Sequence, residues 1–199
     1  MEIEAKWILT APVTPAQIEA LRWTPYRIAQ PQMVDQHDTF FDTHDRALSR
    51  TKHAVRVRHA NADLLVTLKG PGTVAAGVHS RPEWELPTAS EQPDQWPELI
   101  RTKLHDLIGA QPLEPLFTVH NGRRTWVLLR DDAVLGEVAL DTGMIEVGGH
   151  QLPLHELEIE LKGGERSDLQ ALAELIKEQL PAQPEDRSKF ARGFALLST

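Results

Sequence analysis

The 199-residue sequence contains no cysteine, one tyrosine, and no apolar run approaching the roughly 20 residues that a bilayer-spanning helix needs. Without cysteine there are no disulfides, thiolate metal ligands or cysteine nucleophile, so a metal has to be held by oxygen or imidazole. A surplus of positive charge is missing too: 21 Lys and Arg stand against 29 Asp and Glu, a formal net charge of −8. That balance argues against a nucleic-acid surface, which normally presents a basic face. The N-terminus opens on charged residues rather than a signal sequence, so a cytoplasmic protein without membrane or nucleic-acid partners is expected. The length suits one domain over residues 1–199, and 41% hydrophobic residues suffice for a core.

What the sequence does contain is alternation. Residues 155–162 read His-Glu-Leu-Glu-Ile-Glu-Leu-Lys; in a strand, Glu156, Glu158 and Glu160 share one face and Leu157, Ile159 and Leu161 the other. Glu2, Glu4 and Lys6 alternate likewise with Ile3, Ala5 and Trp7, and Arg56 and Arg58 with Val55 and Val57. Thr67 and Lys69 flank Leu68, Arg81, Glu83 and Glu85 run past Trp84, and Glu137 and Asp141 bracket Val138 and Leu140. One such segment is most simply a strand with its polar face in water. Taken together they point elsewhere, because the polar faces are almost wholly ionisable and carry both signs. An α+β fold in which an antiparallel barrel turns its charges into the lumen, with apolar residues outside under helices, would gather them. Cations facing carboxylates suit a polyanion that shares its site with divalent cations.

Along the chain, a strand is expected over 1–9, then a short helix opened by Thr14, Pro15 and Gln17 as a capping box. Residues 32–43 read as extended, followed by a turn or short helix through 44–50. A hairpin is expected from 53–60 and 63–69 across Asn61-Ala62-Asp63, and a mobile loop over 70–77. The next strand, 78–86, contains Pro82, which lacks an amide donor and implies an edge, a bulge or an imperfect ladder. A helix between 93 and 109 stops at Gly109, and strands resume at about 114–130, 133–141 and 150–161. Ser167 with Gln170 is expected to cap a long helix that Pro181 ends, and a last short helix lies around Phe190, Phe194 and Leu197 with Lys189 and Arg192 on another side. His37, His44 and His53 show no paired imidazole spacing and read as structural or surface groups, and Trp7, Trp84 and Trp126 as packing.

Glu2-Ile3-Glu4-Ala5-Lys6 resembles the ExExK signature of the CYTH proteins, also called triphosphate tunnel metalloenzymes. Further matches follow in the family's order: Phe41-Asp42-Thr43, Arg56 and Arg58, Thr67-Leu68-Lys69, Arg81 with Glu83 and Glu85, Arg123, Asp141, Glu158 with Glu160, and Ser188-Lys189. The resemblance implies an eight-stranded antiparallel tunnel in which carboxylates hold Mg²⁺ or Mn²⁺ and basic residues hold a small-molecule triphosphate. Carried over, Glu2, Glu4, Asp141, Glu158 and Glu160 belong to the metal side, with Glu83, Glu85 and Glu156 as further candidate ligands. Lys6, Arg56, Arg58, Lys69, Arg81, Arg123 and Lys189 belong to the phosphate side, and Glu2, Glu4 and Lys6 are the expected catalytic residues. Carboxylate oxygens suit these hard cations and arginine forks suit phosphate. The sequence departs from the family pattern at Asn121, where some members have lysine, at Phe40, which lacks a tyrosine hydroxyl, and in offering a third glutamate beside a usual pair.

Activities in the family include inorganic triphosphatase, thiamine triphosphatase, adenylyl cyclase and RNA triphosphatase. Arg123-Arg124-Thr125-Trp126 and the stretch 188–193 resemble the bacterial inorganic triphosphatases, so inorganic triphosphate is the expected substrate. The alternatives are another triphosphate, a non-catalytic polyphosphate-binding module, or a structural barrel that uses its lumen for partner recognition. A stand-alone module is expected, without the histidine-rich helical domain that some relatives append.

Overall fold

The computed structural model describes residues 2–75 and 78–197. Their strands are β1 (Glu2–Leu9), β2 (Tyr26–Thr43), β3 (Ala54–Ala60), β4 (Asp63–Lys69), β5 (Thr73–Ala75), β6 (Val78–Arg81), β7 (Glu83–Pro87), β8 (Leu113–Arg130), β9 (Ala133–Val147), β10 (His150–Leu161) and β11 (Ala182–Pro184). The α-helices are α1 (Pro15–Glu19), α2 (Ala47–Arg50), α3 (Glu98–Ile108), α4 (Arg166–Gln179) and α5 (Lys189–Leu196).

The strands form one antiparallel sheet in the order β5-β6-β1-β10-β9-β8-β2-β3-β4-β7, with β11 added to β1. The two ends of this path meet in the sequence. Only Pro82 separates β6, which pairs with β1, from β7, which pairs with β4. The ladder is therefore interrupted where the missing amide of Pro82 interrupts it, and the chain itself joins the two halves. Pro82 still contributes its carbonyl, which accepts from the amide of Gly70 at 2.9 Å. With β6 and β7 taken as one broken strand, and the three-residue β5 and β11 as appendages, the expected eight strands go round the ring.

Long strands curl to make the ring. β2 and β8 pair over nearly their whole length with register shifts at Ala29/Gln32 and Phe40/Phe41, bulges that bend a strand. On β9, a Cβ at Gly136 would come 2.0 Å from the Glu160 carbonyl and one at Gly143 1.9 Å from that of His120, so the sheet closes over positions that only glycine fits.

Alternation assigns the faces. Outward residues of β1, β8, β9 and β10, among them Trp7, Trp126, Val138 and Ile159, pack under Leu169, Leu172 and Ile176 of α4. Outward residues of β3 and β4, Val55, Val57, Val66 and Leu68, pack under Ile100, Leu104 and Ile108 of α3, with Trp96 and Leu48. A third cluster is on the inward face: Phe40, Phe117, Val119, Ile145 and Leu154 share strand phase with the lumen and receive Phe190 and Leu196 of α5. α5 thus plugs one end of the barrel.

Several boundaries differ from expectation. β2 begins at Tyr26, because the extended phase starts before the charged stretch, and β9 runs on to Val147. The loop at 70–77 contains β5, which extends the sheet beside β6; its residues 76 and 77 lie outside the described residues. Thr14 and Gln17 form the expected capping box, but α4 is capped by Glu165 with Asp168 rather than by Ser167 with Gln170.

The Phe41-Asp42-Thr43 motif has a structural role. The Asp42 carboxylate, 0% exposed, accepts from the amides of Thr43 (2.8 Å), Leu48 (2.9 Å) and Ser49 (3.0 Å) and from the Ser49 hydroxyl. It holds the turn into α2 against the end of β2. Asp42→Ala strands these buried donors and is expected to lower the unfolding free energy by roughly 2–4 kcal/mol, read from urea denaturation.

Candidate active site

Strand register decides which charges meet in the lumen. Glu4 lies opposite Glu160 and Lys6 opposite Glu158 across β1 and β10, and Glu2 lies opposite Arg81 across β1 and β6. Asp141 of β9 lies between Glu156 of β10 and Arg123 of β8. Asp38 of β2 faces Arg58 of β3, while Lys69 and Thr67 of β4 face Glu83 and Glu85 of β7. The walls enclose a cavity of about 330 Å³, within the range of small-ligand sites. It is lined by the carboxylates of Glu2, Glu4, Glu83, Glu85, Glu137, Glu158 and Glu160 and by the cations of Lys6, Arg56, Arg58, Lys69, Arg81, Arg123, Lys162 and Lys189.

The charges satisfy one another in local groups. Glu2 accepts from Lys69 Nζ and Arg81 Nε, both at 2.7 Å, and Glu4 pairs with Lys6 (3.1 Å) and Arg81 (3.3 Å). Burial would raise the Glu2 carboxyl, but the Lys69 and Arg81 charges hold it far below the usual carboxylate range. Lys69 is itself lowered, by burial first and then by Arg81 and Arg56. On the opposite wall Asp38 accepts from Arg58 Nε (2.6 Å) and Nη2 (2.8 Å) and from Arg56 Nη1 (3.0 Å). This clamp sets the two guanidinium groups side by side.

A third group is deeper. Asp141 accepts from Arg123 Nε (2.8 Å) and Nη2 (2.6 Å), from Lys189 Nζ (2.8 Å) and from Asn121 Nδ2 (2.9 Å). Burial works to raise its carboxyl, and Arg123 and Lys189 bring it down to about 2. Glu158 takes Lys189 at 2.8 Å and also contacts Arg123. Glu156 contacts Lys189 and Arg192; its burial, then its neighbour Glu158, raise it against those cations. Asn121 donates also to Gln36 at 3.2 Å, so the amide at this departure from the family pattern bridges β8, β2 and β9 without adding charge.

Of the residues singled out from the sequence, Glu2, Glu4, Lys6, Arg56, Arg58, Lys69, Arg81, Glu83, Glu85, Arg123, Glu158, Glu160 and Lys189 line the cavity. Asp141 and Glu156 do not: both are fully enclosed, and they adjoin the cavity through the cations Arg123 and Lys189 that line it. Sequence reasoning missed Asp38 and Gln36, and it placed Glu137 and Lys162 on alternating strands without counting them among the site residues. A signal existed for both Asp38 and Gln36, since Gln32, Val34, Gln36, Asp38 and Phe40 keep one strand phase, but that phase holds a single charge and so lacks the ionisable signature of β1, β3 and β10.

The donors facing open space are all oxygens. No cysteine exists and no imidazole lines the cavity among the described residues, a set that fits a hard divalent cation rather than a thiophilic one. Glu2, Glu4, Glu158 and Glu160 could hold such an ion. Asp141, Glu156 and Glu158 also bring oxygens within 4.8 Å of one another, but Lys189 touches all three.

The Asp38 clamp carries a pH signature. Burial opposes its ionisation, yet Arg56 and Arg58 hold its carboxyl far below the ordinary aspartate value of 3.8. A depressed native value gives stability that is complete above 3.8 and is lost as pH falls below it. Asp38→Asn is therefore expected to cost roughly 3–5 kcal/mol at neutral pH, with the difference from wild type shrinking in acid, measured by denaturant titration across pH.

A relative from Haemophilus influenzae described as an inorganic triphosphatase is 30% identical over 171 residues, 86% of this chain. The chain spans about half the length of that curated relative, 48%. Among solved structures, an adenylyl cyclase candidate from Hippeastrum, described as having a dominant triphosphatase activity, superposes with a TM-score of 0.73. It is 24% identical, with 98% of this chain and 96% of that one covered. An adenylate cyclase candidate from Bacillus halodurans gives 0.64 at 20% identity, with 96% of each chain covered. PH1819 of Pyrococcus horikoshii gives 0.60 at 18% identity, covering 98% of this chain and 99% of its own. These three share the fold. The CYTH domain family matches residues 1–194, and with a tunnel lined by both signs of charge at its centre the chain belongs to that family.

Proposed function

We propose that the tunnel is the active site of a metal-dependent triphosphatase that hydrolyses inorganic triphosphate to diphosphate and phosphate. The observation that carries this reading is the lining itself: nearly balanced cations and carboxylates around one cavity of about 330 Å³. A polyanion alone would upset that balance, whereas a polyanion accompanied by divalent cations brings little net charge. The relative described as an inorganic triphosphatase favours the same substrate. We propose Mg²⁺ or Mn²⁺ as the cation, one catalytic domain over residues 1–199, and a cytoplasmic place of action, which the lack of cysteine suits.

Phosphoryl transfer asks the protein mainly for positioning and charge stabilisation. Arg56 and Arg58, both bonded to Asp38, would grip phosphate oxygens as forks, and Lys6, Lys69 and Arg123 would neutralise charge along the chain of phosphates. Glu2, Glu4, Glu158 and Glu160 would hold the metal. When bound, it supplies Lewis acidity toward phosphoryl oxygens and acidifies water. Of the wall hydroxyls, Thr67 donates to Glu85 at 2.8 Å and Ser188 accepts from the amide of Ala191 at 3.1 Å, and among the described residues no imidazole lines the cavity to activate Thr125. Direct attack by water therefore fits better than a covalent intermediate. Arg81 is tied to Glu2 and Glu4, which casts it as a positioning residue for the metal side.

Phosphate release should be fastest from inorganic triphosphate when compared with ATP and thiamine triphosphate, and should stop on adding chelator. Glu4→Gln should lower turnover by about 100-fold or more. Faster release from ATP or thiamine triphosphate would reassign the substrate, and release indifferent to chelator and to Glu4→Gln would remove the tunnel from the chemistry.

A further inference from the structure

The outward face of the barrel carries a second group of metal-ligating side chains that no sequence spacing reveals. His37 on β2 lies directly opposite His59 on β3 and directly opposite His120 on β8. The three imidazoles thus form a row across three adjacent strands. They stand on the strand faces opposite to the lumen, in phase with Val57 and Trp126, and they belong to neither helix-covered apolar cluster. Met144 of β9, opposite His120, continues the row with a thioether.

Three observations set this row apart from a chance of composition. The rings of His37 and His120 are stacked, with centroids 3.9 Å apart and planes at 29°. The Nε2 of His37 is enclosed and has no hydrogen-bond partner among the described residues. His59 Nε2 lies 2.7 Å from the carboxylate of Glu91, the arrangement that fixes one imidazole nitrogen as a donor and frees the other to ligate. Side chains directly opposite on antiparallel strands have Cβ atoms about 4.5–5.5 Å apart, and Zn–N bonds are about 2.0–2.1 Å long; the nitrogens of the three rings do not all lie within 4.8 Å of one another as they stand, so coordination requires the rings to turn. His59 and His120 are exposed and have room to turn.

We propose that His59, His37 and His120 form a binding site, separate from the tunnel, for a divalent transition metal ion of the imidazole-preferring class: Zn²⁺, Ni²⁺ or Cu²⁺. His37 is the central ligand, His120 and His59 flank it, and Glu91 orients His59. The two sites are distinguished by donor chemistry, carboxylate oxygen inside and imidazole nitrogen outside.

Ni²⁺ titrated calorimetrically into the metal-free full chain, in excess Mg²⁺ to occupy the oxygen sites, should show one bound ion. Affinity should fall by about tenfold or more in His37→Ala and stay unchanged in Glu4→Gln. Triphosphate hydrolysis and circular dichroism of His37→Ala should match wild type. Should that variant fold poorly, the double variant His59→Ala with His120→Ala, which alters exposed rings only, should lose affinity to the same degree. Wild-type Ni²⁺ affinity in the histidine variants, loss of binding with Glu4→Gln, or no Ni²⁺ binding by wild type would each overturn the site.

Discussion

The cost of enclosing charge governs this molecule. A carboxylate or ammonium withdrawn from water is destabilising by several kcal/mol unless a partner and hydrogen bonds replace the lost solvent. Here the charges come in matched sets: Glu2 with Lys69 and Arg81, Asp38 with Arg56 and Arg58, Asp141 and Glu158 with Arg123 and Lys189, Glu156 with Lys189 and Arg192. The first three sets join different strands and the last joins β10 to α5, so strand register, helix docking and charge pairing constrain one another. A slip of one residue in any strand would turn its charges outward and strand their partners inside.

That constraint explains the inverted arrangement of the layers. Since the inner face is given over to charge, apolar burial has to be found elsewhere, and it is found in two outer clusters and one plug. α4 covers the outer face of β1, β9 and β10, α3 covers β3 and β4, and α5 pushes Phe190 and Leu196 into the barrel beside Phe40 and Phe117. Because α5 enters the lumen, it can also deliver Lys189 and Arg192 to the deepest carboxylates, which no strand supplies with enough cations. The outer face beyond those helices carries the histidine row.

Much of this was legible in the sequence for a physical reason: a side-chain period of two, with charge on one phase and Val, Ile, Leu or Trp on the other, is a strong signature. β1, β3, β10 and most lumen residues follow from it, and Pro82 marked the break in the ladder correctly. What it hid depends on which strands become neighbours. Asp38 is one carboxylate in a stretch whose other inward residues are uncharged, and its importance appears only once β2 pairs with β3 and sets it against Arg58. His37, His59 and His120 are separated by 22 and 61 residues, so no local spacing joins them. Asp141 and Glu156 carried the right residue type, but whether a carboxylate faces the cavity or is sealed by Lys189 is set by the docking of α5, a tertiary event without local signal.

The pairing inside the lumen also bears on how ligands would enter it. Under the proposed function, phosphates must draw Arg56, Arg58, Lys69 and Arg123 away from the carboxylates that now hold them. Every cation so taken leaves a buried carboxylate needing a new positive partner. A divalent ion held by Glu2, Glu4 or Glu158 would meet that need for the partners of Lys69 and Arg123, and would weaken the hold of those carboxylates on Lys69, Arg81 and Arg123. Each ligand thus removes the electrostatic penalty of the other, and reciprocity requires that the coupling be the same in both directions. The neutral, internally paired lumen acts as a competitor that either ligand alone displaces at a cost and that both together displace with charge balance preserved.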